Sequence, residues 1–394
     1  MSAIAIALVI LPVAMVLYTY VAYPTILWLL ARARPRPAGT CDELSTWPTV
    51  SVVLPAYNEG RQIAGAIEAL LAQDYPSDRC QILVVSDAST DQTDAIVEQY
   101  ASRGVELLRM PIRGGKTAAE NATIARLRGG IVINSDASIR LHPLAVRRLV
   151  ECMADPSVGV ASGRDVSVAV GEPVANAAEA GYVGYEMWLR ALETRVSGIV
   201  GASGSCYAIR ADLHRIPIRR DLSRDFSAAL TARLHGYRAV SADDALCYVP
   251  RTPSLKREYW RKVRTVARGM ETLFQNRELL DPTRFGLFAW MLFSHKICRW
   301  LVPATALCGL LALAALAPNH SWARLLVAGA IAVLAVAAVG ARWPDSRPMP
   351  RAISLITFGI AANLAVIHAF ARVLAGREDH IWEPTRREGA AAVP

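Results

Sequence analysis

Apolar residues crowd the two ends of this chain, while its middle alternates short apolar runs with polar turns. Residues 1–31 carry no charged side chain, and about 20 apolar residues suffice to cross a bilayer. Arg32, Arg34 and Arg36 follow directly, with no basic stretch before the run and no small-residue cleavage site after it. The segment therefore reads as an uncleaved anchor, and its basic flank places residue 32 onward in the cytoplasm. Near the other end, residues 300–323, 325–341 and 352–371 lack Asp, Glu, Lys and Arg, which predicts three more spans, one of them holding His368. Residues 285–294 are apolar but too short to cross, and predict a helix lying in the interface. One anchor plus three spans would put the tail outside, yet the tail carries Arg372, Arg377, Arg386 and Arg387, so span count and charge rule disagree there.

Between the apolar ends, the spacing predicts strands at 49–54, 81–86 and 105–109, and another ending at Asn134. It predicts helices at 61–73, from a cap at Asp87 or Ser89 to about Tyr100, and at 116–128. Such alternation with short turns implies an α/β domain with a mostly parallel sheet over residues 48–250. A basic amphipathic segment (251–295), the spans (300–373) and a polar tail (374–394) come after it.

Three polar turns follow three of the strands: "AYNEG", "SDASTD" and "NSDAS". In a parallel sheet they share one edge, where open α/β sheets hold ligands, so Asn58, Glu59, Asp87 and Asp136 are placed to converge. Several carboxylates around one crevice repel unless a cation or a ligand joins them, and Mg²⁺ or Mn²⁺ held with a substrate diphosphate is a usual solution. The plainer alternative is that each Asp only caps the next helix. "RGGKT" ends like a phosphate loop, but Met110 stands where that motif needs glycine. Lys116 is placed to meet a phosphate from the start of its helix, or else to sit in solvent.

The formal net charge of +9 suits anionic partners, phosphates and membrane headgroups among them. No nucleic-acid-binding module accompanies it. Residues 251–268 hold seven basic side chains against Glu258, and Arg261, Arg264 and Arg268 fall on one helical face. This predicts an interfacial helix that anchors to anionic lipid or reaches a diphosphate. Seven scattered cysteines without a C-x-x-C pair argue against a disulfide framework or a zinc site.

"VVLPAYNEG", "VVSDASTDQT", "RGGKTAAEN", "NSDAS", "GASGSCYAIR", "RDFSAALTARLHGYR" and "YWRKVRTVARG" occur in that order. Together, over roughly residues 48–300, they resemble the membrane-bound glycosyltransferase family 2, which includes synthases of poly-N-acetylglucosamine, hyaluronan and cellulose. The resemblance implies a GT-A fold and inverting transfer from a nucleotide sugar, usually a UDP-sugar, with Mg²⁺ or Mn²⁺, at the inner membrane. It implies that Ala56, Tyr57, Asn58 and Glu59 hold nucleobase and ribose, that Asp87 contacts the uracil, and that Lys116 takes the family's Gly-Lys position. Asp136 would bind the diphosphate through the metal, Asp225 would be the catalytic base, and Gly204 and Ser205 would line the acceptor side. Arg264 matches the arginine of the processive Q-x-x-R-W motif, and Arg261 stands beside it to meet the diphosphate. The chain departs from the family at Ser138, where the second acid of the metal motif stands, and at Arg224, where an acid often precedes the base. It also lacks the Gln and Trp of Q-x-x-R-W. The acceptor implied is a glycan or a lipid-linked group. A single transfer onto a polyprenyl phosphate or lipid, and a non-catalytic subunit that binds nucleotide, are the alternatives.

Overall fold

The computed structural model describes residues 2–33, 46–168, 177–250, 255–344 and 349–376. Arg34, Arg36, Arg251 and the tail from Arg377 onward lie outside them. One mixed sheet of eight strands organises the centre: β1 (Val50–Ala56), β2 (Cys80–Ser86), β3 (Val105–Arg109), β4 (Ile131–Ser135), β5 (Arg140–Leu141), β6 (Val158–Val168), β7 (Cys206–Arg210) and β8 (Arg238–Pro250). Their order is β3-β2-β1-β4-β7-β6-β8-β5. The first four run parallel, but β7 is antiparallel to both β4 and β6, and β5 is antiparallel to β8. The sheet is thus less uniformly parallel than the alternation predicts, because β5 and β7 run against their neighbours.

Alternate strand residues feed two cores, as a two-residue period requires. Val50, Val52, Leu54, Ile82, Val84 and Ile133 pack under α2 (Ile63–Leu71), α3 (Thr93–Glu98) and α5 (Ala145–Cys152). Val53, Leu83, Val85 and Val132 face the other way, toward α4 (Lys116–Ala122) and α7 (Arg224–Leu234). Helix α4 is shorter than the predicted 116–128 and passes into a 3₁₀ turn at Ile124–Arg126. At Gly129 the backbones approach so closely that a Cβ would stand 2.5 Å from the carbonyl carbon of Val50. Val50 is held in β1, and the Gly129 N–H is tied to the Ser51 hydroxyl at 2.8 Å, so neither backbone steps aside cheaply. Gly129→Ala should therefore cost about 1–3 kcal/mol and lower the unfolding midpoint by several degrees, readable by thermal unfolding in detergent.

Among the described residues, four helices are long and apolar enough to cross a membrane: α1 (Ala3–Ala33), α9 (Leu287–Leu316), α10 (Ser321–Ala341) and α11 (Arg351–Leu374). The predicted interfacial helix at 285–294 is absent as a separate element. Most of it is the first part of α9, which runs unbroken through a π-helical segment, Phe293–Cys298. Phe288, Met291 and Leu292 are buried against Tyr23, Leu27 and Ala31 of α1 and against Leu189 and Leu192 of α6 (Ala177–Val196). The span predicted at 300–323 likewise ends early, at Leu316, and a turn separates it from α10. Helix α8 (Leu255–Gln275) lies between domain and apolar helices. Its Val263 packs with Ala365 and Ala369 of α11, and the Tyr259 hydroxyl meets Nδ1 of His368 at 3.1 Å.

Candidate active site

A cleft of about 290 Å³ opens where the parallel strands end. Glu59, Lys116, Asp136, Gly204, Ser205, Asp225, Arg261 and Arg264 all line it. Glu59 enters from the turn after β1, Asp136 from the end of β4, and Lys116 from the first residue of α4. Asp225 stands in the first turn of α7, where a carboxylate is favoured by the helix dipole. Across the cleft, α8 presents Arg261, Arg264 and Arg268, so this basic face turns to the site while Val263 on another face meets α11.

Lys116 is the tie between the elements. Its Nζ donates to Oδ1 of Asp136 and, at 3.0 Å, to the carbonyl oxygen of Gly204. The Asp136 N–H donates to the Ser205 carbonyl at 3.0 Å, which fixes the 203–205 loop to the end of β4. Burial disfavours charge on Lys116, but Asp136, Glu120 and Asp225 outweigh it and hold the ammonium well above the ordinary lysine range. The Asp225 carboxylate accepts from the Ser223 hydroxyl through Oδ1. A Cβ on Gly204 would stand 2.9 Å from Oδ2, so a side chain there would push this carboxylate aside. Arg261 makes a two-point ion pair with Glu258, 2.8 Å each, and is thereby aimed along α8.

The remaining predicted residues gather beside this cleft rather than in it. Asp87 caps no helix. Its two carboxylate oxygens accept from the N–H groups of Gly114 and Gly115 at 2.7 and 2.8 Å, and Asp91 caps α3 instead through the Thr93 N–H. The Asp87 N–H donates to the carbonyl of Ala56 at 2.8 Å. The Tyr57 ring lies under the Arg113 guanidinium, 3.7 Å from its centroid. Asn58 has a φ of 53° and accepts from the Thr90 N–H at 2.8 Å. Ala88 also has positive φ, 56°. Two non-glycine residues in that region at one sheet edge match the strain that binding turns store.

Several side chains escaped the sequence reading. Glu120 lines the cleft floor, is 0 % exposed, and has no hydrogen-bond partner for either oxygen among the described residues. It faces Nε of Arg224 at 3.5 Å. Burial pushes its carboxyl above the ordinary range against the pull of Lys116 and Arg224. Arg224 also donates to Asn121 and to the His214 carbonyl, so the departure at this position is a buried structural cation. Asp165 accepts from the Ser203 hydroxyl at 2.6 Å, and both line the cleft. Glu120 sits one helical turn after Lys116, a spacing that flags it in retrospect. Nothing local marks Asp165.

The cleft at the end of the parallel strands, with Lys116, Arg261 and Arg264 beside the helix-borne Asp225, sits on a mixed sheet of the GT-A kind. Residues 51–213 match the family described as glycosyl transferase family 2. An N-acetylglucosaminyltransferase of Rhizobium meliloti (strain 1021) is 26% identical over 332 residues, covering 78% of this chain and 76% of that one. Another from Mesorhizobium japonicum is 34% identical over 135 residues, but there the match spans 33% of this chain and only 31% of its relative. Among solved structures, a mannosyltransferase from Pyrobaculum calidifontis in complex with GDP-Man and Mn²⁺ has a TM-score of 0.73 at 23% identity, covering 96% of this chain and 99% of that one. That likeness shows the shared fold.

Proposed function

We propose that this protein is an integral membrane, inverting glycosyltransferase that moves a sugar from a UDP-sugar to a glycan or lipid-linked acceptor. Its domain faces the cytoplasm at the inner membrane. The observation that carries the reading is the meeting of Asp225, Lys116, Asp136 and the 203–205 loop in one cleft. The base and ribose lie along Ala56 to Glu59, Tyr57 with Arg113, and Asp87. The diphosphate lies toward Lys116, Arg261 and Arg264. The acceptor enters over Gly204 and Ser205.

In the reaction, Asp225 takes the proton of the acceptor hydroxyl. The oxygen then bonds to the anomeric carbon from the face opposite the diphosphate. The bond from that carbon to the phosphate oxygen breaks, and its electron pair leaves with the diphosphate. Lys116, Arg261 and Arg264 oppose that charge. A divalent metal fits the donor set in one manner. Among the described residues no three His, Cys, Asp or Glu groups gather to hold an ion by themselves. One carboxylate plus substrate phosphates is a common shell for Mg²⁺ or Mn²⁺, and Asp136 is the residue placed to supply it. When bound, the ion would neutralise part of the diphosphate charge.

The names of the relatives favour an N-acetylglucosaminyl donor, whereas the solved mannosyltransferase carries a guanosine nucleotide. Thermal unfolding of the full chain in detergent with UDP, GDP and ADP, each with Mn²⁺, Mg²⁺ or chelator, separates these. UDP with metal should raise the midpoint by the most, as ligand linkage requires, and chelator should remove most of the gain. A larger gain with GDP would overturn the UDP assignment.

A further inference from the structure

Three cations lie together where α9 meets the domain: Arg190 on α6, and Lys296 and Arg299 in or next to the π-helical segment of α9. Two acids of α6 answer them. Glu186 takes Arg299 at 2.7 Å and Nε2 of His295 at 2.9 Å, and Glu193 takes Nδ1 of His295 at 2.6 Å and the Tyr23 hydroxyl at 2.7 Å. Arg190 donates to the Ser162 hydroxyl. Lys296 makes no hydrogen bond or ion pair among the described residues. Its ammonium lies 5.2 Å from the ring centre of Phe226, the residue after Asp225. It stands 3.5 Å from where a Cβ on Gly201 would be, three residues before Gly204. A basic side chain in an apolar helix is costly and marks a function unless it is paired. A π-helical turn often marks such a place.

From this juxtaposition we infer that Lys296 is an anion subsite on the acceptor side of the cleft, and that the acceptor is a phosphate-bearing lipid. The inference rests on the reading of Gly204, Ser205 and Asp225 as the acceptor side. The lipid phosphate meets the ammonium beside Gly201, and the accepting oxygen turns toward Asp225. The location serves such a molecule well, because α9 is apolar enough for its tails to lie beside while the cation stands at the domain edge. Glu186 and Glu193 already hold Arg299 and His295, so a neutral glycan would leave the ammonium without a hydrogen-bonded anion of its own.

The test uses the full chain in neutral detergent without nucleotide, so that it does not depend on Asp225 or on any transfer. Retention of farnesyl phosphate, dioctanoyl phosphatidylglycerol and uncharged dioctanoylglycerol would be measured by native mass spectrometry. At least one phosphate lipid should be retained more tightly than dioctanoylglycerol, and which one names the lipid class. Lys296→Gln should weaken that lipid by roughly tenfold or more, the loss of one charged hydrogen bond, with dioctanoylglycerol unchanged. Lys296→Arg should restore most of the retention. Gly201→Ala keeps the charge but sets a methyl 3.2 Å from the Phe226 ring and 3.5 Å from the ammonium, in space the phosphate would take, and should weaken retention severalfold. Equal retention of all three lipids by the natural chain, or undiminished retention of the phosphate lipids by both Lys296→Gln and Gly201→Ala, would overturn the inference.

Discussion

Asp225→Asn should lower kcat for sugar transfer by about 10²–10⁴-fold while leaving UDP binding within a few fold of the natural chain. The substitution keeps the size and the hydrogen bond from the Ser223 hydroxyl but removes the proton acceptor. The split is the informative part. The Asp225 carboxylate touches the 203–205 loop side of the cleft, whereas the path proposed for base and ribose follows the turns after β1 and β2. Steady-state kinetics on membranes, paired with nucleotide binding, reads both quantities. Loss of both would make Asp225 a structural support of the loop, and loss of neither would sink its assignment as the base.

Lys116→Met should be nearly as severe, with kcat/KM down by about 10²–10³-fold, as expected for one preorganised donor to developing charge. Here the effect should extend to donor binding, because Lys116 joins Asp136 to the Gly204 carbonyl and so ties the proposed diphosphate side to the proposed acceptor side. The carboxylates around it keep the ammonium above the ordinary lysine range. Its charge is therefore fully present at neutral pH and is lost only at strongly alkaline pH, so a decline of activity between pH 8 and 9 should persist in Lys116→Arg. A variant with natural donor affinity and natural turnover would show that Lys116 only braces the loop.

The strand-ending turns were legible because apolar runs with a two-residue period stop at polar clusters, and such clusters at one sheet edge make a crevice. What the sequence could not show was partnership across distance. Asp87 looked like a helix cap, since its use by the Gly114 and Gly115 N–H groups depends on a turn 27 residues on. Arg113 went unnoticed because its value lies in the Tyr57 ring beneath it. Arg224 read as a departure, yet Glu120, 104 positions earlier, receives it in the core. The first apolar helix after the domain was cut short at His295, Lys296 and Arg299, which look like the end of a buried run. Glu186 and Glu193 offset two of those three groups and let the helix continue. Local periodicity gives elements and their ends, but charge satisfied from another element is invisible to it.

The most direct test of the central claim follows the sugar itself. Membranes carrying the natural chain or Asp225→Asn would be given labelled UDP-sugars and GDP-mannose, with Mn²⁺ or with chelator, and label would be traced into lipid extract and polymer. Metal-dependent transfer from one UDP-sugar by the natural chain, and almost none by Asp225→Asn, is the expected result. Transfer that survives Asp225→Asn, or no transfer from any donor by a chain that still binds UDP, would contradict it.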